Sequence, residues 1–276
     1  MFKYRQKLLY LLTSITVAFS LIVTDIKPTQ AIPWGELIFR GIQIIQLNNI
    51  NDRQEKEIGN QIRQQLISER KVKLYRDENL SAYVNQIGDR LVAVSGRPNL
   101  DYNFEIVDNP QVNAFATMGG FIYLHTGLLK MADNEAELAS VIAHEIAHVV
   151  ARHSQKQLQQ QAVTQGLLSV AGLDSTKIVQ LGVALAVDLP YSRQDEYEAD
   201  SLGLEMLKAA GYAPQPMVDF MGKLAQTGGK TPTLLSTHPA SLDRAIALQK
   251  QISPLIGYQG DGLDEQAYRY QIRSLR

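Results

Sequence analysis

The chain of 276 residues contains no cysteine. That excludes disulfides, thiolate-held zinc, iron–sulfur clusters, a thiol nucleophile and a lipid anchor on cysteine. An excess of one charge is also lacking: 27 Lys and Arg stand against 28 Asp and Glu, a net charge of -1. With no basic surplus to neutralise a phosphate backbone, nucleic acid is not an expected partner. Histidine is scarce, at 5 residues, so a metal site must draw on those few imidazoles and on carboxylates. What is plentiful is core material. At 45% hydrophobic and 20% charged, the composition is that of a folded domain rather than a disordered tail.

Lys3, Arg5 and Lys7 precede an uncharged run from Leu8 to Val23, and Thr29-Gln30-Ala31 offers a small-x-small processing site. This three-part layout predicts a secretory signal over residues 1–31. The run is shorter than the about 20 residues that a membrane-crossing helix needs. If the signal stays uncleaved, residues 8–23 anchor the protein at the membrane. Either way the remainder is expected to be exported, to a periplasmic or extracytoplasmic location. Removing residues 1–31 takes away four basic residues and one acidic residue and leaves a net charge of -4.

Residues 32–51 read as a linker or docking helix, 52–252 as one catalytic domain, and 253–276 as a peripheral tail. Ile58, Ile62 and Leu66 are spaced four apart on an amphipathic helix. Asp77 caps a second one, carrying Leu80, Tyr83, Val84, Ile87 and Leu91. Tyr102, Phe104 and Ile106 alternate with polar residues, the pattern of a half-buried strand. Residues 113–117 and 121–125 read as two short strands around Gly119-Gly120. One long helix is expected from Asp133 to about Gln161. Residues 162–189 are apolar but broken by Gly166, Gly172, Asp174, Lys177 and Gly182. They predict two short packed helices rather than a membrane span. Further helices are expected over Tyr191–Ala210, after Pro214 and after Pro239. The fold class is α+β, mainly α-helical: a single domain with one small sheet beside a long helix.

That long helix carries His144-Glu145-Ile146-Ala147-His148, an H-E-x-x-H. Positions four apart return to within about 40° of each other on a helix, so both imidazoles leave one face and suit one tetrahedral zinc. Glu145 lies on the same side. It can reach a water at the metal without ligating the metal, as a general base requires. Surrounding Leu138, Val141, Ile142, Ile146, Val149 and Val150 bury the motif, and buried charge needs a partner.

A third ligand is required. His153 sits one residue short of the position a third helical His would take, and reads as a surface or outer-sphere histidine. The acids Asp195, Glu196, Glu198 and Asp200 compete instead. Glu196 and Asp200 share a helix face. Glu196 is therefore expected to ligate, with Asp200 accepting a ligand N–H. Glu198 has Leu202 at the matching position and no such helper. His125 ends a strand and reads as structural. One zinc per chain is expected.

His144-Glu145-x-x-His148 with Glu196-x-x-x-Asp200 resembles metallopeptidase family 48. Asn113-Ala114-Phe115-Ala116, Gly119-Gly120, Ser192-Arg193 and His238-Pro239 with Arg244 extend the resemblance over roughly residues 52–252. The chain is most similar to the soluble BepA/LoiP-like branch. The resemblance implies a single zincin-type catalytic domain and a zinc endopeptidase acting on unfolded or misfolded envelope proteins. It also implies that Asn113, Ala114 and Phe115 line the cleft, where an exposed strand could pair with an extended substrate. It further implies that His238 lies near the zinc, either to stabilise an oxyanion or to plug the open metal position. An alternative function is an envelope chaperone that uses the same fold to bind clients. Nothing in the sequence fixes the oligomeric state.

Overall fold

A computed structural model describes residues 50–164, 175–226, 233–239 and 242–275. The signal or anchor over 1–31 and almost all of 32–51 lie outside the described residues. Among those described, no helix is long and apolar enough to cross a membrane.

Two amphipathic helices open the fold, α1 (Asp52–Ser68) and α2 (Glu78–Val92). Asn51 caps α1 in a reciprocal box with Gln54, and Asp77 caps α2 by accepting from the Leu80 N–H. A three-stranded sheet follows: β1 (Asn103–Val107), β2 (Ala114–Thr117) and β3 (Phe121–His125). Its order is β1-β3-β2, with β1 parallel and β2 antiparallel to β3. Gly119, at φ 77°, makes the bend between β2 and β3, a backbone conformation that glycine adopts without steric cost.

Alternation along β3 divides the core in two. Ile122 and Leu124 face a cluster with α2 and with α4 (Glu135–Val150), while Phe121 and Tyr123 face a second cluster with α1. Both sheet faces are therefore covered, and all of β2 and β3 is buried. Between β3 and α4 the chain makes α3 (Thr126–Met131), a single short helix with no periodic pattern of its own. Helix α4 is buried from Ala136 to Val149, on every side. It packs against β2, α2, α7 (Arg193–Ala209) and α8 (Gln215–Gln226), which is why its sequence is apolar around the whole circumference. The remaining helices are α5 (His153–Thr164), α6 (Ser175–Asp188), α9 (Thr233–Thr237), α10 (Leu242–Gln249) and α11 (Glu265–Gln271).

The single helix expected from Asp133 to Gln161 is two. Helix α4 stops at Val150, and Arg152 takes φ 56°. A left-handed non-glycine residue costs about 1 kcal/mol or more. The Arg152 guanidinium offsets this by reaching the Ile50 carbonyl at 3.0 Å, Gln155 Oε1 at 3.1 Å and Asp52 Oδ1 at 2.6 Å. Neither glycine nor proline marks the break, so the sequence pattern runs through it. Of the apolar stretch 162–189, residues 175–188 form one helix and 165–174 lie outside the described residues.

The segment after residue 252 is largely exposed but sends three side chains into the core. Tyr268, Ile272 and Leu275 are buried in the main cluster, and Tyr268 Oη donates to the Leu129 carbonyl at 2.6 Å. The Gly262 carbonyl accepts from the Ala136 N–H at 2.9 Å, at the first turn of α4. The tail is anchored by a few large side chains rather than by a long amphipathic helix.

Candidate active site

Helix α4 supplies His144, Glu145 and His148, all buried. The ring nitrogens Nε2 of His144 and His148 lie 3.0 Å apart, as one-turn spacing on a single face requires. Helix α7 crosses α4 at close range. Gly203 permits this, since a Cβ there would sit 3.2 Å from the His144 nitrogen. The crossing brings Glu196 and Asp200, one turn apart, over the two histidines. Glu196 Oε2 is 3.5 Å from His144 Nε2, and Glu196 Oε1 is 3.5 Å from His148 Nε2. Asp200 Oδ1 lies 3.1 Å from His144 Nδ1.

His238 follows the single turn of α9. The sequence pattern places it at the start of a helix; it instead follows α9 directly, and α10 is described from Leu242. Three contacts seat it. Leu234 N–H donates to the Val112 carbonyl at 3.1 Å, Tyr191 N–H donates to the Thr237 carbonyl at 3.3 Å, and Thr237 Oγ1 lies 3.5 Å from Asn113 Oδ1. As a result His238 Nδ1 stands 3.0 Å from Glu196 Oε1 and 3.3 Å from His144 Nε2. Its Nε2 faces Glu145 Oε1 at 3.5 Å.

His144, His148, Glu196 and His238 thus offer four ligand atoms that all lie within 4.8 Å of one another. A tetrahedral ion with bonds of about 2.0–2.1 Å has ligand–ligand edges of about 3.3 Å. Five distances between these groups, counting either Glu196 oxygen, run from 3.0 to 3.5 Å and fall around that value. Charge points the same way. Among the described residues, Glu145, Glu196 and Asp200 are three buried carboxylates beside one buried guanidinium, that of Arg244. Arg244 forks onto Asp200 through two bonds of 2.7 Å and also donates to Glu196. Full ionisation leaves two negative charges, which one divalent cation would balance. The donor set of imidazole and carboxylate suits zinc.

Titration of the metal-free cluster reflects the same demand. Burial works to lower the His144 pKa, but the Asp200 and Glu196 carboxylates outweigh it and raise it to about 9. Burial pushes Glu196 up, yet His238 and His144 hold it well below the usual carboxylate range. Burial drives His148 well below its ordinary value, with the His144 charge adding to the effect. Burial raises Glu145, against the pull of His238 and His144. Among the described residues, neither Glu145 carboxylate oxygen has a hydrogen-bond partner.

Asn113, Ala114 and Phe115 are buried, and β2 forms one edge of the sheet. The strand expected to be exposed is covered, because Leu185 and Ala186 of α6 and Tyr191 lie over Ala116 and Thr117 across a small cavity. A larger pocket opens at Glu145, lined also by Val141, Met217, Phe220, Met221, Leu224 and Leu234. Three neighbours of the site are missed or misplaced by the sequence pattern. Arg244 carries no role there beyond a family likeness. Tyr191 stacks on His148 with ring centres 4.1 Å apart, and nothing in the sequence signals that. His153 is fully buried rather than at the surface, which leaves the outer-sphere reading. His125 is buried against Phe115, outside the cluster.

Comparison with known proteins agrees with this geometry. Residues 78–252 match the model of peptidase family M48, a span that holds every residue of the cluster. The β-barrel assembly-enhancing protease of Yersinia pestis is 38% identical over 182 residues, covering 60% of this chain and 37% of that protein. The mitochondrial metalloendopeptidase OMA1 of Schizosaccharomyces pombe is 34% identical over 177 residues, 61% of this chain and 52% of that one. The metalloprotease LoiP of Escherichia coli is 28% identical over 253 residues, 87% of this chain and 96% of that one. The chain thus spans well under half the length of the assembly-enhancing proteases it matches. With an H-E-x-x-H helix, a crossing acidic helix and a family match over most of the described domain, the chain belongs to peptidase family M48.

Proposed function

We propose that the chain is an exported zinc metalloendopeptidase that hydrolyses unfolded or misassembled proteins of the cell envelope. Residues 52–252, with Tyr268, Ile272 and Leu275 of the following segment packed into the core, would form its catalytic domain. The observation that carries the reading is the convergence of His144, His148 and Glu196 on one point, with the unpartnered Glu145 carboxylate beside it. Export rests on the basic and apolar pattern of residues 1–31. The substrate class rests on relatives named for enhancing β-barrel assembly.

In this reading His144 Nε2, His148 Nε2 and Glu196 would hold one zinc. Bound there, zinc would polarise the scissile carbonyl and make water a better nucleophile. Asp200 fixes His144 with Nε2 free to ligate. Arg244 keeps Asp200 and Glu196 ionised and in place. Glu145, with its proton affinity raised by burial, takes the proton of the attacking water and returns it to the leaving amine. An extended substrate would pair along β2, which requires α6 to move away from the strand. His238 occupies the place of a fourth donor, and that position favours a plug over an oxyanion stabiliser.

The test compares wild type with Glu145→Gln for casein cleavage and metal content. One zinc in each, with cleavage only in the wild type, is the expected outcome. A Glu145→Gln variant that still cleaves refutes the mechanism. A wild type that binds zinc and suppresses client aggregation without ever cutting, even when His238 is replaced by Ala, establishes the chaperone alternative.

A further inference from the structure

His153 lies five residues after His148 and would point away from it on a continuous helix. The left-handed turn at Arg152 instead swings the start of α5 under the site. There the Nδ1 atoms of His148 and His153 face each other at 2.9 Å. On its far side, His153 Nε2 lies 3.3 Å from Asp195 Oδ1 and 3.4 Å from Glu198 Oε2. His153 is fully buried, Asp195 is partly buried and Glu198 is exposed.

Proton placement in this row is constrained. Two ring nitrogens at 2.9 Å need one hydrogen between them. If His153 donated it, His148 would carry its own proton on Nε2, the atom that faces Glu196 and His144. The bare Nε2 of His153 would then confront two carboxylates. The opposite assignment satisfies every group. His148 donates from Nδ1, His153 accepts at Nδ1, and His153 donates from Nε2 to Asp195 or Glu198. The carboxylates at the outer end thereby select the tautomer at the inner end.

We infer that His153 is a positioning residue, which passes the preference of Asp195 and Glu198 to His148 and leaves His148 Nε2 free to bind metal. The inference rests on the proposed zinc ligand set. It gives Glu198 and Asp195, which compete with Glu196 in sequence, a separate role, because they act on the site from outside, through a histidine. His153 with these two acids also has the make-up of a small cation site. In that case His153 Nε2 would ligate instead of donate.

The experiment is zinc competition against a chromophoric chelator, using the full chain, with circular dichroism melts as the control for folding. His153→Phe removes both hydrogen bonds. It is expected to weaken zinc binding by about 10–100-fold, the usual range for outer-sphere partners. His153→Asn places an amide oxygen near the position of Nδ1 and is expected to recover most of that loss. Asp195→Asn with Glu198→Gln touches no zinc ligand, yet is expected to weaken binding, because amides can donate to Nε2 and release the tautomer. A folded His153→Phe variant with wild-type affinity overturns the inference. So does a wild type that takes up two zinc ions and loses one in Glu198→Gln. A wild type that binds no zinc instead removes the ligand set on which the inference stands.

Discussion

Replacing Arg244 by Met tests the charge balance of the site directly. The substitution keeps a long flexible side chain and removes one buried positive charge. Arg244 is buried, forks onto Asp200 with two 2.7 Å bonds, and also donates to Glu196 and to the Pro239 carbonyl. Its own affinity for the proton, lowered by burial but more strongly raised by Asp200, keeps it charged throughout. Removing one partner of a buried ion pair costs about 3–5 kcal/mol, because the other charge is left uncompensated. For a domain of this size each kcal/mol moves the melting temperature by roughly 2–4 °C. The metal-stripped variant should therefore melt about 10 °C below the wild type. With zinc bound the loss should be smaller, because a dication beside Glu196 supplies part of the missing charge. Arg244→Lys should recover only part of it, since an ammonium cannot reproduce the planar fork. The assay is thermal unfolding by circular dichroism in EDTA and in zinc. A metal-stripped Arg244→Met protein that melts within about 2 °C of the wild type would refute the charge-balance reasoning, as would an equal loss in both conditions.

Three further outcomes are expected from other parts of the structure. Burial lowers the His125 pKa from 6.5 to about 4. Between those values the unfolded chain binds the proton and the folded chain does not, so stability is lost as pH falls through that window. The slope is about 1.4 kcal/mol per pH unit. The stability gap between wild type and His125→Gln should shrink from pH 7 to about pH 4.5 in urea titrations, and parallel curves would contradict it. Ending the chain at Leu263 removes buried Tyr268, Ile272 and Leu275. At about 1.5–3 kcal/mol each, this is comparable with the whole stability of a domain, so a truncated protein should show no cooperative melt. Finally, His238→Ala should raise casein turnover if His238 plugs the metal position, and a fall in turnover would return it to the role of oxyanion stabiliser.

The parts of the fold written in local periodicity are legible in the sequence. His144 and His148 share a face, as do Glu196 and Asp200, and in each pair a spacing of four fixes the geometry before any tertiary contact is known. The caps Asn51 and Asp77 and the alternation at Phe104 and Ile106 are local in the same sense. What stays hidden depends on a partner far along the chain. Arg152 breaks the long helix only because Asp52 and the Ile50 carbonyl hold its guanidinium. Tyr268 reaches the core through Leu129, 139 residues away. The cover of α6 over β2 is a packing relation that no pattern within either segment records. His153 combines both difficulties, since its place under His148 follows from the Arg152 turn.

The site is also assembled from groups widely spaced along the chain. His144 and His238 are 94 residues apart, and Arg244, which steadies Glu196 and Asp200, comes later still. The helix that bears the H-E-x-x-H is held at its first turn by Gly262, and the core around it is closed by Tyr268. During synthesis an incomplete chain would hold the histidines and the acids without the residues that keep them in register. Any cutting power would have to wait for Arg244 and Tyr268, so a nascent chain that stops short of them carries the H-E-x-x-H without the groups that hold it in place.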